Sequence, residues 1–222
     1  MQNKKIVKIL KRTANVLLAA ALVLPVLMLA GCARKLESEG MRIIDKKTGS
    51  AYIFMPAYLE PAARSKKVYA KATLSGAEQS LYTISGLEPS EWLCTEWGDI
   101  LYSGTDIIAS LDTFEPVRAY ICDTEGTVSI ALVAITGDDV ALMRDRWTGG
   151  ANEGDVVGEP VNTYVVKFES EKYPGIYYCL SLHEYADKVY FYGKYEGMRR
   201  VDATDIMEKY LSGEEESDTT AD

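Results

Sequence analysis

Short apolar runs broken by turn residues dominate this chain, and their spacing predicts hairpins. Met41–Asp45 and Ser50–Met55 flank Lys46-Lys47-Thr48-Gly49, while Val68–Leu74 and Leu81–Ser85 flank Ser75-Gly76-Ala77-Glu78. β-Branched and aromatic runs around polar, glycine-bearing tetrapeptides are the pattern of antiparallel pairs. Glu91–Trp97 and Ile100–Ser103 are separated by Gly98-Asp99, a two-residue Gly-X loop suited to a type II′ turn. Val117–Cys122 and Thr127–Ile135 flank Asp123-Thr124-Glu125-Gly126. From Ile130 onward the second of these runs is apolar on both alternating faces, which predicts a central strand covered on both sides. Thr163–Glu169, Ile176–Tyr185 and Lys188–Tyr195, rich in tyrosine, complete the set.

Two stretches keep a helical period instead. Val140, Met143 and Trp147 fall on one face of Asp138–Trp147. Ile206, Met207, Tyr210 and Leu211 fall on one stripe of Thr204–Leu211, with Asp202 or Thr204 placed to cap it. The strand connections are too short for parallel crossovers. The expected fold is therefore α+β: a mainly antiparallel sheet built from consecutive hairpins, with two short helices at 138–147 and 204–211.

The ends of the chain break the pattern. Residues 212–222 hold five acids and almost no apolar side chain, so they read as a disordered acidic tail. At the other end, Met1–Arg12 carries five cations and no acid, and Val16–Ala30 is an apolar run of fifteen residues. That run is short for a membrane span, which takes about 20 apolar residues, and Pro25 interrupts it. A basic start, a short apolar segment and small residues after it are the parts of a secretory signal.

The run ends in Leu29-Ala30-Gly31-Cys32, which resembles the lipobox of bacterial membrane lipoproteins at all four positions. The resemblance implies cleavage between Gly31 and Cys32, a diacylglyceryl group on the Cys32 thiol, and an extracytoplasmic, lipid-anchored location. It covers the first 32 residues, and residues 33–222 resemble no named family. The expected organisation is a lipoprotein signal peptide at 1–31, a tether at 32–40, a single globular domain at 41–211 and the tail at 212–222.

Charge narrows the partners. Beyond the leader, 19 Lys and Arg face 33 Asp and Glu, a net charge of −14. Residues 34–71 are net +5, residues 72–222 net −19, and Arg118 is the only cation between Ala72 and Met143. Nucleic-acid binding depends on clustered cations that neutralise phosphates, so nucleic acid is not an expected partner. Anionic head groups would attract the positive stretch beside the anchor.

Candidate chemistry is sparse. His183 is the only histidine, and no C-x-x-C pair, Walker loop, G-x-G-x-x-G or G-x-S-x-G is present. Ser181 and Cys179 share the face of His183 by alternation, but a rise of about 3.3 Å per residue sets them roughly 7 and 13 Å away, too far for a nucleophile–base hydrogen bond. Cys94 and Cys122 are the possible long-range thiol partners. Asp138-Asp139 and Glu153/Asp155/Glu159 offer oxygen ligands, without a calcium-loop pattern. Catalytic, cofactor-binding and metal residues are therefore all expected to be none, and the cofactor none. The function expected is a non-catalytic binding or interaction module, held at a membrane through Cys32 and taking an extracellular protein or cationic ligand. Two alternatives stand beside it: a cell-envelope hydrolase using paired carboxylates, and an accessory subunit of a membrane complex.

Lipidation is directly testable. Intact-mass analysis of the membrane fraction is expected to show an acylated chain beginning at Cys32, and Cys32→Ser is expected to leave uncleaved precursor or release the protein. A mature N-terminus elsewhere, without acyl mass, contradicts the reading.

Overall fold

A computed structural model describes residues 34–40, 42–55, 59–104, 108, 110–125, 128–154, 158–193 and 198–212. The leader, the pair Gly31 and Cys32, and residues 213–222 of the tail lie outside these residues. The chain divides into two units, Met1–Lys35 and Leu36–Asp222. Of the first, Arg34–Lys35 is described, as a short strand β1.

In the second unit the strands are β2 (Glu37–Glu39), β3 (Arg42–Asp45), β4 (Ser50–Phe54), β5 (Leu59–Pro61), β6 (Arg64–Leu74), β7 (Ala77–Ile84), β8 (Trp92–Thr95) and β9 (Ile100–Tyr102). The helix α1 (Leu111–Phe114) follows, then β10 (Arg118–Glu125), β11 (Val128–Thr136) and α2 (Asp138–Gly149). The chain ends in β12 (Asn162–Glu169), β13 (Ile176–Glu184), β14 (Val189–Gly193), β15 (Arg199–Asp202) and α3 (Thr204–Leu211).

These strands make two antiparallel sheets. The first runs β6-β7-β8-β9-β4-β3-β2, and the second β11-β10-β12-β13-β14-β15. β5 joins the second sheet, pairing with β13 at Ile176–Tyr178, while β14 takes the same strand further on, at Ser181–Glu184. The first sheet curls until its ends meet. The Leu36 amide donates to the Lys71 carbonyl at 2.8 Å, and the Ser38 hydroxyl donates to the Thr73 carbonyl. Ile43, Tyr52, Leu81, Leu93 and Leu101 fill the enclosed space, with the small Ala70 and Ala72 on β6.

The other face of β7, β8 and β9 presents Tyr82, Trp92, Cys94, Ile100 and Tyr102 to a second, larger core. There they join Ile121, Phe168, Tyr178 and Phe191 of the second sheet. Every residue of β8 and β9 is consequently buried. Trp92 packs on Tyr102 with ring centres 4.1 Å apart, and Phe114 stacks on Tyr173 at 5.6 Å. α2 closes this core with Val140, Met143 and Trp147, and α3 with Ile206 and Met207. Arg146 of α2 holds Asp205 of α3 through two hydrogen bonds of 2.7 and 2.8 Å.

The structure overturns the expected fold class. In place of an α+β arrangement of one hairpin sheet and two short helices, the described residues are mostly β, 52% strand against 15% helix, with two barrel-like sheets and three short helices among them. The physical reason is non-local pairing. Turn signals reveal neighbours in the chain, whereas β4 pairs with β9, β5 with β13, and β10 with β12 across a helix. α1 is a single turn, too short to show a period, although Ser110 and Thr113 build a reciprocal capping box for it.

Two local expectations also change. The turn before Ile100 spans Glu96–Asp99 rather than two residues, because Thr95 and Asp99 bond each other through both backbone and side chain. β11, expected to be covered on both faces, ends the second sheet's order, with Ile130 at 51% and Leu132 at 54% exposure. Among the described residues no helix is long and apolar enough to cross a membrane.

Where the two sheets approach each other, one glycine is required. Gly175 has φ +92°, and a Cβ there would overlap the Ser85 carbonyl oxygen. Its own carbonyl accepts from the Ala62 amide at 2.8 Å. Gly49, at φ +79°, has open space around it. Gly175→Ala is therefore expected to destabilise by on the order of 3 kcal/mol, against about 1 kcal/mol for Gly49→Ala, where only backbone conformation is at stake. Urea unfolding measures both, and equal losses contradict the close approach.

Candidate functional site

Alternation in the second sheet divides its side chains between the core and an outer face. Ala119, Ile121, Val166, Phe168, Leu180, Leu182 and Phe191 point inward. The intervening positions form cross-strand rows on the other side. One row runs Arg118, Glu169, Tyr177, Glu60, and the next Tyr120, Lys167, Cys179. Then come Cys122, Val165, Ser181, Tyr192, Arg200, and finally Thr163, His183, Tyr190, Asp202. Four tyrosines thus share one face, interleaved with paired charges.

Lys167 and Glu60 anchor the first half of this face. Their ion pair is 2.5 Å long, and the side chains are 14% and 28% exposed. Burial works against the ammonium charge, but the hydrogen bond and charge of Glu60 outweigh it, and the Lys167 pKa lies above its ordinary value. The pair adds a side-chain link between β5 and the sheet. Lys167 also lies over the Tyr177 ring at 5.9 Å. Alongside, Glu169 accepts from the Tyr120 hydroxyl at 3.0 Å and from Arg118 Nη1 at 3.3 Å.

The second half centres on Tyr192. His183 stacks on it with ring centres 5.0 Å apart, and the Arg200 guanidinium lies over it at 5.4 Å. Next to them Lys188 pairs with Asp202 at 2.9 Å and lies over Tyr190 at 5.8 Å. His183 Nδ1 and Arg200 Nε are both buried and have no hydrogen-bond partner. Burial, and then the Arg200 charge, hold the His183 pKa below its ordinary 6.5, so the imidazole is neutral at pH 7.

A groove of about 550 Å³ lies elsewhere, between α2 and α3, lined by Asp139, Leu142, Arg146, Asp205 and Lys209 among others. Its charges hold the helices to each other: Arg146 binds Asp205, and Asp139 accepts from Lys209 at 2.7 Å and from the Tyr210 hydroxyl.

These environments weigh against nucleophilic chemistry. Cys94, Cys122 and Cys179 are free thiols and all buried. Burial pushes Cys94 up to about 11, raises Cys122, and lifts Cys179 well above its ordinary 9.0, so the thiols stay protonated at neutral pH. Cys179, Ser181 and His183 share the outer face, as alternation requires, but the His183 ring meets Tyr192. Cys94 lies in the first sheet, donating to the Tyr82 carbonyl at 3.8 Å, and Cys122 donates to the Tyr120 carbonyl at 3.8 Å. A carboxylic general acid needs a raised pKa. Asp139 and Asp205 shift down, through hydrogen bonds from Lys209 and Arg146. Asp202 shifts down because hydrogen bonds from Thr204 and Lys188 outweigh its burial.

Among the described residues no three His, Cys, Asp or Glu side chains gather as a metal site. Of the candidate oxygen ligands, Asp138 and Asp139 open α2, and Asp155 lies outside the described residues. The Glu60–Lys167 pair escapes sequence reading because its members stand 107 residues apart and β5 is three residues long. The alternation Val165, Lys167, Glu169 against Val166, Phe168 is the one signal that marks Lys167 as outward. No protein-family model, no curated protein and no solved structure matches the chain.

The neutral His183 carries a pH signature. In the unfolded chain a histidine gains its proton as pH falls through 6.5, while the folded state resists until a lower pH. Stability is accordingly expected to fall as pH drops below 6.5, and to stop falling below the folded pKa. His183→Gln is expected to flatten this region. The losses tied to Asp139, Asp202 and Asp205, which come at pH below 3.8, remain. Chemical denaturation at a series of pH values reads the slope, and an unchanged slope in His183→Gln contradicts the assignment.

Proposed function

We propose that this chain is a lipid-anchored extracytoplasmic binding module, without catalytic activity of its own, that engages its partner through the tyrosine-lined outer face of the second sheet. The observation that carries the reading is the half-buried Tyr120, Tyr177 and Tyr192 on one face of the sheet, each ring held by a neighbouring ring, cation or carboxylate, with the buried Tyr190 beneath Lys188 beside them. Rings fixed in this way contribute contact area with little loss of side-chain entropy on binding.

Charge chooses the partner class. The face itself carries matched charges, Arg118, Lys167, Lys188 and Arg200 beside Glu60, Glu169 and Asp202. Its selectivity comes from the long-range field of a chain that is net −19 from residue 72 onward, which attracts cations and repels polyanionic polymers. A cationic segment of an extracytoplasmic protein fits this field, and at the rings it competes with the cations already over Tyr177, Tyr190 and Tyr192. Protonated thiols, a histidine without a nucleophile and carboxylates held by cations support binding over hydrolysis.

An oligolysine peptide titrated into the detergent-solubilised chain tests this. Affinity is expected to fall with rising salt, as screening sets in over about 8–10 Å. Tyr177→Ala and Tyr192→Ala are each expected to weaken binding about fivefold or more. Binding unaffected by either variant and by salt overturns the reading. Turnover of an envelope polymer, lost on changing one or two acids, transfers the assignment to a hydrolase.

A further inference from the structure

We propose that β11, the edge of the second sheet among the described residues, is where two copies of this chain pair, strand against strand, about a two-fold axis. The strand hydrogen-bonds β10 on one side and ends the sheet's order on the other. A long apolar edge is a template for another strand, and natural edges usually carry charge or proline to prevent this. Val128–Thr136 holds neither over nine residues. Ile130 and Leu132 are 51% and 54% exposed, and Leu142, on the helix that follows, is 51% exposed.

A two-fold interface must be complementary to itself, residue i meeting j while j meets i. Ser129-Ile130-Ala131-Leu132-Val133-Ala134-Ile135-Thr136 reads nearly the same from either end: Ser with Thr, Ile with Ile, Ala with Ala, Leu with Val. In a regular strand this symmetry would be useless. A two-fold axis normal to a sheet keeps each residue on its own face, and an even palindrome pairs residues from opposite faces.

The register of β11 removes the obstacle. Val133 lies opposite Ile121 but Ala131 lies opposite Cys122, so β11 carries one inserted residue at its middle. Beyond it the two halves present matching faces. Ile130 and Ile135 lie opposite Asp123 and Ala119, on one face of β10. Ala131 and Ala134 lie opposite Cys122 and Tyr120 on the other face, as do Ser129 and Thr136 opposite Thr124 and Arg118. A second copy placed antiparallel then pairs Ser129 with Thr136, Ile130 with Ile135, Ala131 with Ala134 and Leu132 with Val133, each like with like.

Charge favours the same occupant. Copies of a chain with 33 acids and 24 cations repel over most of their surface, and the uncharged strand is where they meet without that cost. Pairing also gives β11 the position its composition describes, a strand inside a sheet.

Register-specific cross-linking tests the geometry in the full chain, solubilised in detergent. Ala131→Cys and Ala134→Cys, both exposed positions, are made in a Cys122→Ser background because Cys122 lies opposite Ala131. On oxidation the two chains mixed are expected to form a disulfide-linked pair, and neither alone to do so at a comparable rate. Leu132→Lys and Ile130→Lys are expected to weaken self-association about tenfold or more, read by sedimentation, with circular dichroism confirming the fold. Trp97→Lys, at an 83% exposed site in the first sheet, is expected to leave it unchanged. A parent chain that stays monomeric up to about 100 μM, or equal cross-linking in the mixture and in Ala131→Cys alone, overturns the proposal. So does self-association untouched by Leu132→Lys.

Discussion

β8 and β9 have no solvent face, and the rest of the molecule is arranged around that constraint. Leu93 and Leu101 point into the space enclosed by the first sheet, while Trp92, Cys94, Ile100 and Tyr102 point into the core shared with the second. A strand covered on both sides must be apolar at consecutive positions, which these two short segments are. They therefore belong to two cores at once, and losing either face would loosen both. The Thr95–Asp99 hydrogen bonds close the tight turn between them and satisfy the amide and hydroxyl of the buried Thr95.

Sharing a sheet between two cores settles what the second sheet can do. Its inner face is committed to the common core, and the outer face carries the polar and aromatic side chains, among which Cys122, Cys179 and Tyr190 are themselves buried. Tyrosine, lysine and histidine can stand there at no cost to folding as long as their charges are matched. Lys167 shows the limit of that freedom. It is largely buried, and the Glu60 carboxylate keeps it charged; without that partner an uncompensated ammonium would remain. The same pair reaches from β5 across β13 to β12, adding a side-chain link to the β5–β13 backbone pairing, so one interaction serves both the fold and the face.

How much of this was legible in the sequence follows from range. Period-3.6 positions such as Val140, Met143 and Trp147 do mark the buried side of a helix, and the alternation Tyr178, Leu180, Leu182 does mark the inward side of β13, because each depends only on residues a few places apart. Strand partners are a different matter. β4 meets β9 and β5 meets β13, and nothing near Leu59–Pro61 announces a strand at all. β11 misled for a better reason: its composition is that of an interior strand, and the single chain gives it a place at the edge. The tyrosine face was visible as composition, but not as a face, since three strands contribute its rings, β10 lying far in the chain from β13 and β14.

Burial also explains why three described thiols and the one histidine of a chain with 33 acids assemble so little reactive chemistry. The thiols, the histidine and the carboxylates whose pKa values shift all move away from reactive states. The thiols keep their protons in apolar surroundings, His183 stays neutral beside a guanidinium, and the shifted carboxylates stay ionised against their hydrogen-bond donors. Reactivity at neutral pH needs the reverse in each case: a depressed thiol, a base near pH 7, a raised acid. On the proposed reading, what stays open to a partner is shape, aromatic surface and a long-range negative field. Recognition uses all three, and none of them requires a bond to be broken.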